Sequence, residues 1–305
     1  MNIEEYHIGQ LYMIARHSAE QSDDGEGVET IVNEPCEDKD HGKGQYAEKR
    51  IHLTSKLPSW IRAYIPRFLY ITEKSWNYYP YTVTEYTCSI LPKFSIKIWT
   101  RYEDNNGSNN NVHAGTMPDE ALSVEFVDIS ADPVRPNQYK EEEDPSKLQS
   151  GKTGRGPLKG DWRNNTKPIM CSYKLVDVSF AVFGLQTKVE EFVHKEIRNI
   201  NVLAHRQAFA WLDEWHGWNT ADVRAYEKRM QQETNERIRL AQLEKRGSKD
   251  SSSPVLDEEG NVKTSGSSTS LQKQRSSDST DSSGKNSATT PEKQGGYLSG
   301  FFKWS

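Results

Sequence analysis

The chain has 305 residues, of which 34% are hydrophobic and 27% charged, and its net charge is −5. This balance excludes a general electrostatic pull toward nucleic acid, and no 18-residue apolar run is present to form a membrane-spanning helix. Three widely spaced cysteines, Cys36, Cys88 and Cys171, argue against a disulfide framework or a zinc site.

The start, "MNIEEYHIGQ", lacks the basic and apolar regions of a secretory signal, so a soluble cytoplasmic protein is expected. Residues 8–18 place Ile8, Leu11, Ile14 and Ala15 at helical spacing. Alternating or β-rich segments then predict strands over 47–53, 70–74, 81–91, 94–102, 122–129 and 170–180. In the last of these the apolar residues change face, which fits a bulge or a strand buried on both sides. A long apolar-striped helix is predicted from Leu185 to Trp215, and another from Thr220, read as its N-cap. Antiparallel strands followed by long helices indicate an α+β fold with helices over one sheet face.

Composition changes near residue 246. From Gly247 to Gly296 the chain is mostly Ser, Thr, Lys, Asp and Gly, too poor in apolar surface to offset the entropy of ordering. Two regions are therefore expected: a folded domain over 1–246 and a disordered Ser-rich tail over 247–305. The aromatic end of that tail, "GYLSGFFKWS", suits either a membrane interface or a partner, or is inert.

One nucleotide-like motif fails inspection. Gly151-Lys152-Thr153 resembles the end of a P-loop, but the required first glycine is Ser146, no apolar strand precedes it, and Gly154, Gly156 and Pro157 oppose a following helix. An exposed loop is expected there. No G-x-S-x-G, H-E-x-x-H or H-x-E with C-x-x-C is present, so no enzyme constellation competes. A metal at His41 in "CEDKDHG" is a weak prospect, and His194 and His205 on the long helix are ordinary packed or exposed histidines.

More telling are polar residues that break apolar faces. Lys49 shares a strand face with Ala47, Ile51 and Leu53; Thr84 stands among Thr82, Tyr86 and Cys88; Thr100 interrupts the Phe94, Ile96, Ile98 face; Glu227 falls within the Val223, Tyr226, Met230 stripe. Each has an ordinary explanation: snorkelling, backbone bonding or the edge of a stripe. Together they describe a polar spot in an apolar enclosure, since a buried ammonium needs an anion or a way to water.

These residues lie within strings that resemble the phosphatidylinositol transfer protein family: "YHIGQLYMI", "GQYAEKRIHL", "EKSWNYYPYTVTEY", "EEDPSK", "KTGRGPL", "MCSYKLV", "FGLQTKVEEFVHK" and "HRQAFAWLDEW", in order over residues 3–235. "SKLPSW", "LPKFSIKI" and the last of these are most similar to the soluble, retinal-degeneration-B-type (class II) branch. The resemblance implies a helix-grip (START-like) fold that encloses one phospholipid as cargo, without cofactor or catalysis, in a monomer that touches membranes transiently. It implies headgroup contacts at Lys49, Asn77 and Glu227, with Gln10, Glu73, Thr84, Thr100 and Lys174 around them. It further implies a membrane-docking pair at Val182-Phe183 and a regulatory loop with Ser150 at its candidate phosphorylation position.

The chain departs from the family pattern in three places. Ala47 stands where the family usually has Thr, and a hydrogen bond lost to a charged headgroup costs about 1.5–3 kcal/mol. That disfavours inositol lipid more than phosphatidic acid, the other cargo expected. Val182-Phe183 replaces a common Trp pair, and "MNIEEY" begins where the family lays down a first strand. Two acyl chains hold about 30 methylenes at roughly 0.8 kcal/mol each, so a carrier must enclose them and open at the membrane. The expected function is non-enzymatic transfer of phosphatidylinositol and phosphatidic acid. The alternative is a lipid-sensing adaptor acting through its phosphorylatable tail, where "KQRSSDST" offers a 14-3-3-type docking site.

Overall fold

The computed structural model describes residues 1–22, 26–52, 57, 69–91, 93–117 and 122–250, with side chains up to Glu244. The predictions for the tail beyond 250, including the 14-3-3-type site and the aromatic end, lie outside the described residues. Two compact units divide the chain, the first containing Met1–Gln242 and the second Leu243–Gly295; the description below concerns the first.

Helix α1 (Ile3–Glu20) begins the fold. Asn2 accepts from the Glu5 N–H at 2.9 Å while Glu5 accepts from the Asn2 N–H at 3.0 Å, so a capping box sets its start five residues before the predicted one. Six strands follow: β1 (Gly27–Asp38), β2 (Gly42–His52), β3 (Tyr70–Tyr78), β4 (Tyr81–Thr87), β5 (Phe94–Glu103) and β6 (Cys171–Phe180). They form one antiparallel sheet in chain order. Between β5 and β6 lies a long connection containing a 3₁₀ turn (Glu141–Glu143) and α2 (Trp162–Asn165). The C-terminal helices are α3 (Gln186–Ala210), α4 (Leu212–Trp215) and α5 (Thr220–Asp250).

Four expectations are corrected. Residues 122–129 form no strand: β6 rather than this segment pairs with β5, from Phe94↔Phe180 to Glu103↔Cys171, and Val124 and Phe126 of "LSVEFVDI" stay exposed. The long helix breaks at Trp211 rather than running to Trp215. Asn219, not Thr220, caps α5: its Oδ1 accepts from Ala221 N–H at 2.7 Å, and Asp222 returns a bond to Asn219 N–H at 3.0 Å. Helix α5 also continues through Gly247 to Asp250, because one glycine costs a helix only about 1 kcal/mol.

β1 has no predicted counterpart. It is an edge strand with Pro35, the exposed acidic residues Glu34 and Glu37 and a bulge between Thr30 and Val32, features that blur alternation but suit an edge. β6 has no bulge in its register with β5; Leu175 is buried on the face opposite Val176 and Val178, but Asp177 and Ser179 on that same face are exposed, so the strand is covered on both sides only near Leu175.

Two apolar clusters hold the layers together. In the first, Val189, Val193, Ile197 and Ile200 of α3 meet Ile51, Ile71, Phe94, Ile96, Ile98 and Phe180 of the sheet. In the second, Tyr6, Leu11, Tyr12 and Met13 of α1 meet Ala208, Trp211, Leu212, Trp215 and Val223. Gly9 permits this second contact, since a Cβ there would stand 2.5 Å from Trp215 Cζ2.

Candidate functional site

Strand register decides what the inner face of the sheet offers. Side chains directly opposite on neighbouring strands form rows across it. The first row runs Gln45, Asn77, Thr82, Thr100, Lys174; the next runs Ala47, Ser75, Thr84, Ile98, Val176; the third runs Lys49, Glu73, Tyr86, Ile96, Val178. A further pair, Ile51 and Ile71, continues into the apolar cluster beneath α3. Polar side chains therefore fill the first row and continue on β2 and β3 as far as the Lys49–Glu73 pair of the third, while β5 and β6 turn aliphatic from the second row onward.

Lys49 is 6% exposed and Glu73 is completely buried, and the ammonium donates to Glu73 Oε1 at 3.1 Å. Glu73 Oε2 has no hydrogen-bond partner among the described residues. A buried carboxylate oxygen can only accept, so it calls for a donor from outside this set. Thr82 donates to Asn77 Oδ1 at 3.3 Å, which leaves the Asn77 NH₂ as the donor turned to the site.

At the neighbouring corner, Gln10 of α1 donates to the Tyr102 hydroxyl at 2.7 Å, and Lys174 donates to Thr100 Oγ1 at 3.1 Å while lying 5.5 Å from the Tyr102 ring centroid. Burial holds the Lys174 amine well below the ordinary lysine range. Burial, with the Lys174 charge second, likewise lowers His205 to about 3, and its Nδ1 meets the Tyr6 hydroxyl at 2.8 Å. Both side chains nonetheless keep some accessible surface.

Of the sequence-predicted positions, the sheet and α1 bring together Lys49, Glu73, Asn77, Thr84, Thr100, Lys174 and Gln10. Glu227 lies on α5. It shares the face of Val223, Thr234 and Ile238, with its side chain 13% exposed, and accepts from Arg224 at 2.7 Å. No hydrogen bond or ion pair joins it to Lys49 among the described residues. Ser75 and Thr82, both buried on the same face, were not singled out by the sequence reading. The signal for Ser75 was its position two residues after Glu73, beyond the predicted strand end.

The docking pair divides. Phe183 is fully exposed in the turn before α3, whereas Val182 is partly buried against the apolar cluster and does not project. The loop that begins at Ser150 is largely exposed, as expected, but it is pinned at its start. Ser150 is buried; its hydroxyl donates to Asp213 Oδ1 and accepts from Thr153 N–H at 3.0 Å, and Asp213 accepts from Gly151 and Lys152 N–H at 2.7 and 3.2 Å. Arg155 extends the clamp to Glu5 at 2.8 Å. Gly-rich composition suggested freedom, but one carboxylate collects three donors and fixes the turn.

A family model described as phosphatidylinositol transfer protein matches residues 1–232. The chain is 60% identical over 239 residues to a cytoplasmic phosphatidylinositol transfer protein 1 of Drosophila melanogaster, covering 78% of this chain and 88% of the relative. With the protein of that name from Homo sapiens it shares 57% over 238 residues, covering 78% and 72%. A membrane-associated phosphatidylinositol transfer protein 1 of Mus musculus is 45% identical over 236 residues, covering 75% of this chain and 19% of the relative.

Proposed function

The chain belongs to the phosphatidylinositol transfer protein family, and on that premise we propose that it is a non-enzymatic carrier of phosphatidylinositol between membranes. The observation that carries this reading is the grouping of polar side chains on one part of an otherwise apolar sheet face: a phospholipid with its head among Asn77, Lys174 and the Lys49–Glu73 pair would lay its acyl chains along Ile96, Phe94, Phe180 and α3. The unpartnered Glu73 oxygen favours a headgroup that offers hydroxyl donors, which inositol has and choline lacks. Lys49, Lys174, Thr84, Thr100, Asn77 and Gln10 are the residues we assign to the headgroup, with Glu227 closing from α5.

Phosphatidic acid is the second cargo we propose, because two lysines, Lys49 and Lys174, belong to the polar set and its small phosphate does not need the hydroxyl missing at Ala47. Higher identity to relatives named cytoplasmic than to those named membrane-associated supports a cytoplasmic carrier that docks transiently through Phe183. The narrower placement in the retinal-degeneration-B-type branch rests on the quoted sequence strings. Phosphorylation of Ser150 would require the loop to open and would set a dianion against Asp213, releasing the clamp rather than decorating it. We further propose that the protein works as a monomer, without cofactor.

Native mass spectrometry of the purified protein, with its lipid released and identified, tests the cargo. One phosphatidylinositol or phosphatidic acid per chain is expected, together with vesicle-to-vesicle transfer. Only phosphatidylcholine, or no lipid, would overturn it; binding without transfer would favour the adaptor.

A further inference from the structure

We propose that Ser75 is a headgroup ligand and that the Ala47–Ser75 pair sets the preference for hydroxyl-rich headgroups. This rests on the carrier reading and names a residue of its site.

Ser75 is 2% exposed on the inner face of β3. Register sets four neighbours around it: Glu73 and Asn77 two residues away along the strand, Thr84 opposite on β4 and Ala47 opposite on β2. Three of those four are headgroup positions, so its hydroxyl stands in the middle of the set. The fourth is a methyl. Cross-strand Cβ atoms lie about 4.5–5.5 Å apart, and Ala47 leaves the space on that side of Ser75 open. The orphaned Glu73 oxygen beside it calls for a donor, and the Ser75 hydroxyl offers a neighbouring acceptor and donor. Together they suit a ligand carrying adjacent hydroxyls, the chemistry of inositol rather than of choline. A threonine at 47 would reach the same space from the opposite strand, so one hydroxyl, from either side, is what the site needs.

The test exposes full-length protein to vesicles of equal phosphatidylinositol, phosphatidic acid and phosphatidylcholine, and counts bound species by native mass spectrometry. Ser75→Ala should lower the phosphatidylinositol-to-phosphatidylcholine ratio about tenfold, the effect of one hydrogen bond to a polar ligand in a closed site, with an unchanged thermal midpoint. Adding Ala47→Thr to Ser75→Ala should restore the ratio. An unchanged ratio in Ser75→Ala while the unaltered protein loads phosphatidylinositol would overturn the role of Ser75 alone. Failure of the unaltered protein to load it would overturn the carrier reading and this inference with it.

Discussion

Replacing Lys49 tests whether the buried pair serves the ligand or the fold. Lys49→Met removes the ammonium from a carboxylate that has no exposure and already one oxygen without a partner. Breaking a buried pair from one side costs about 3–5 kcal/mol, a large share of a total stability of about 5–15 kcal/mol. Loss of lipid in this variant alone would therefore not separate binding from unfolding. Adding Glu73→Gln removes the uncompensated charge and keeps an acceptor for the Tyr86 hydroxyl, which also bonds Glu73. The double variant should recover to within about 1 kcal/mol of the parent, the worth of one ordinary hydrogen bond. Urea denaturation measures the stability, and mass spectrometry of bound lipid the loading. Phosphatidylinositol should be lost from both variants and phosphatidylcholine kept by the stable double one. A stable double variant that still prefers phosphatidylinositol would show that the pair is structural only.

Three more outcomes follow from named contacts. Phe183→Ser should leave loading intact but lower vesicle cosedimentation about tenfold or more, since burying a Phe side chain is worth about 1.5–3 kcal/mol; unchanged binding would remove Phe183 as a docking residue. His205, held at about 3 chiefly by burial, and His7, held at about 4 by burial and then by Arg224, bind protons in the unfolded chain from about pH 6.5 downward but not in the fold. Stability should therefore fall with decreasing pH below 6.5, by about 1.4 kcal/mol per unit for each histidine until its folded value is reached; a flat profile from pH 6.5 to 5 would refute this. Ser150→Glu sets a second carboxylate against Asp213, and hydrogen bonds to charged groups are worth about 1.5–3 kcal/mol each. Tryptic cleavage at Lys152 and Arg155 should accelerate more than tenfold, and Asp213→Asn added to it should slow cleavage again. Equal cleavage rates in parent and Ser150→Glu would show that the clamp does not hold the loop.

Where burial on one face was strict, the sequence already carried the site. Lys49, Thr84 and Thr100 stood out because period-two alternation set each on a face that the fold keeps apolar nearby. Lys174 was harder to read, since burial of Leu175 on the opposite side of β6 removes the polar-apolar contrast. Ser75 and the rows themselves depend on register, which pairs residues from different strands and leaves no mark within either one. Residues 122–129 mislead for the same reason: their alternation is real, but a strand also needs a pairing partner, and none of the six strands pairs with them. The clamp at Ser150 was invisible because its anchor, Asp213, lies 63 residues further along the chain.

The order of the sheet has a consequence for how the polar end comes into being. The β1–β2, β3–β4 and β4–β5 pairs are joined by short connections, with a longer link over residues 53–69 between β2 and β3. Each strand pairs only with its neighbours in the chain, so a nascent chain can form these hairpins as they emerge. β6 must wait for residues 104–170, and loop closure over that span carries an entropic cost that short hairpins avoid. Lys174 therefore arrives last, after Asn77, Thr82 and Thr100 are already aligned. A chain stalled during synthesis before β6 would display the inner edge of β5, with Ile96 and Ile98 uncovered by α3, as a template for another strand. Premature termination between β5 and β6 should accordingly yield aggregates rather than a weak carrier.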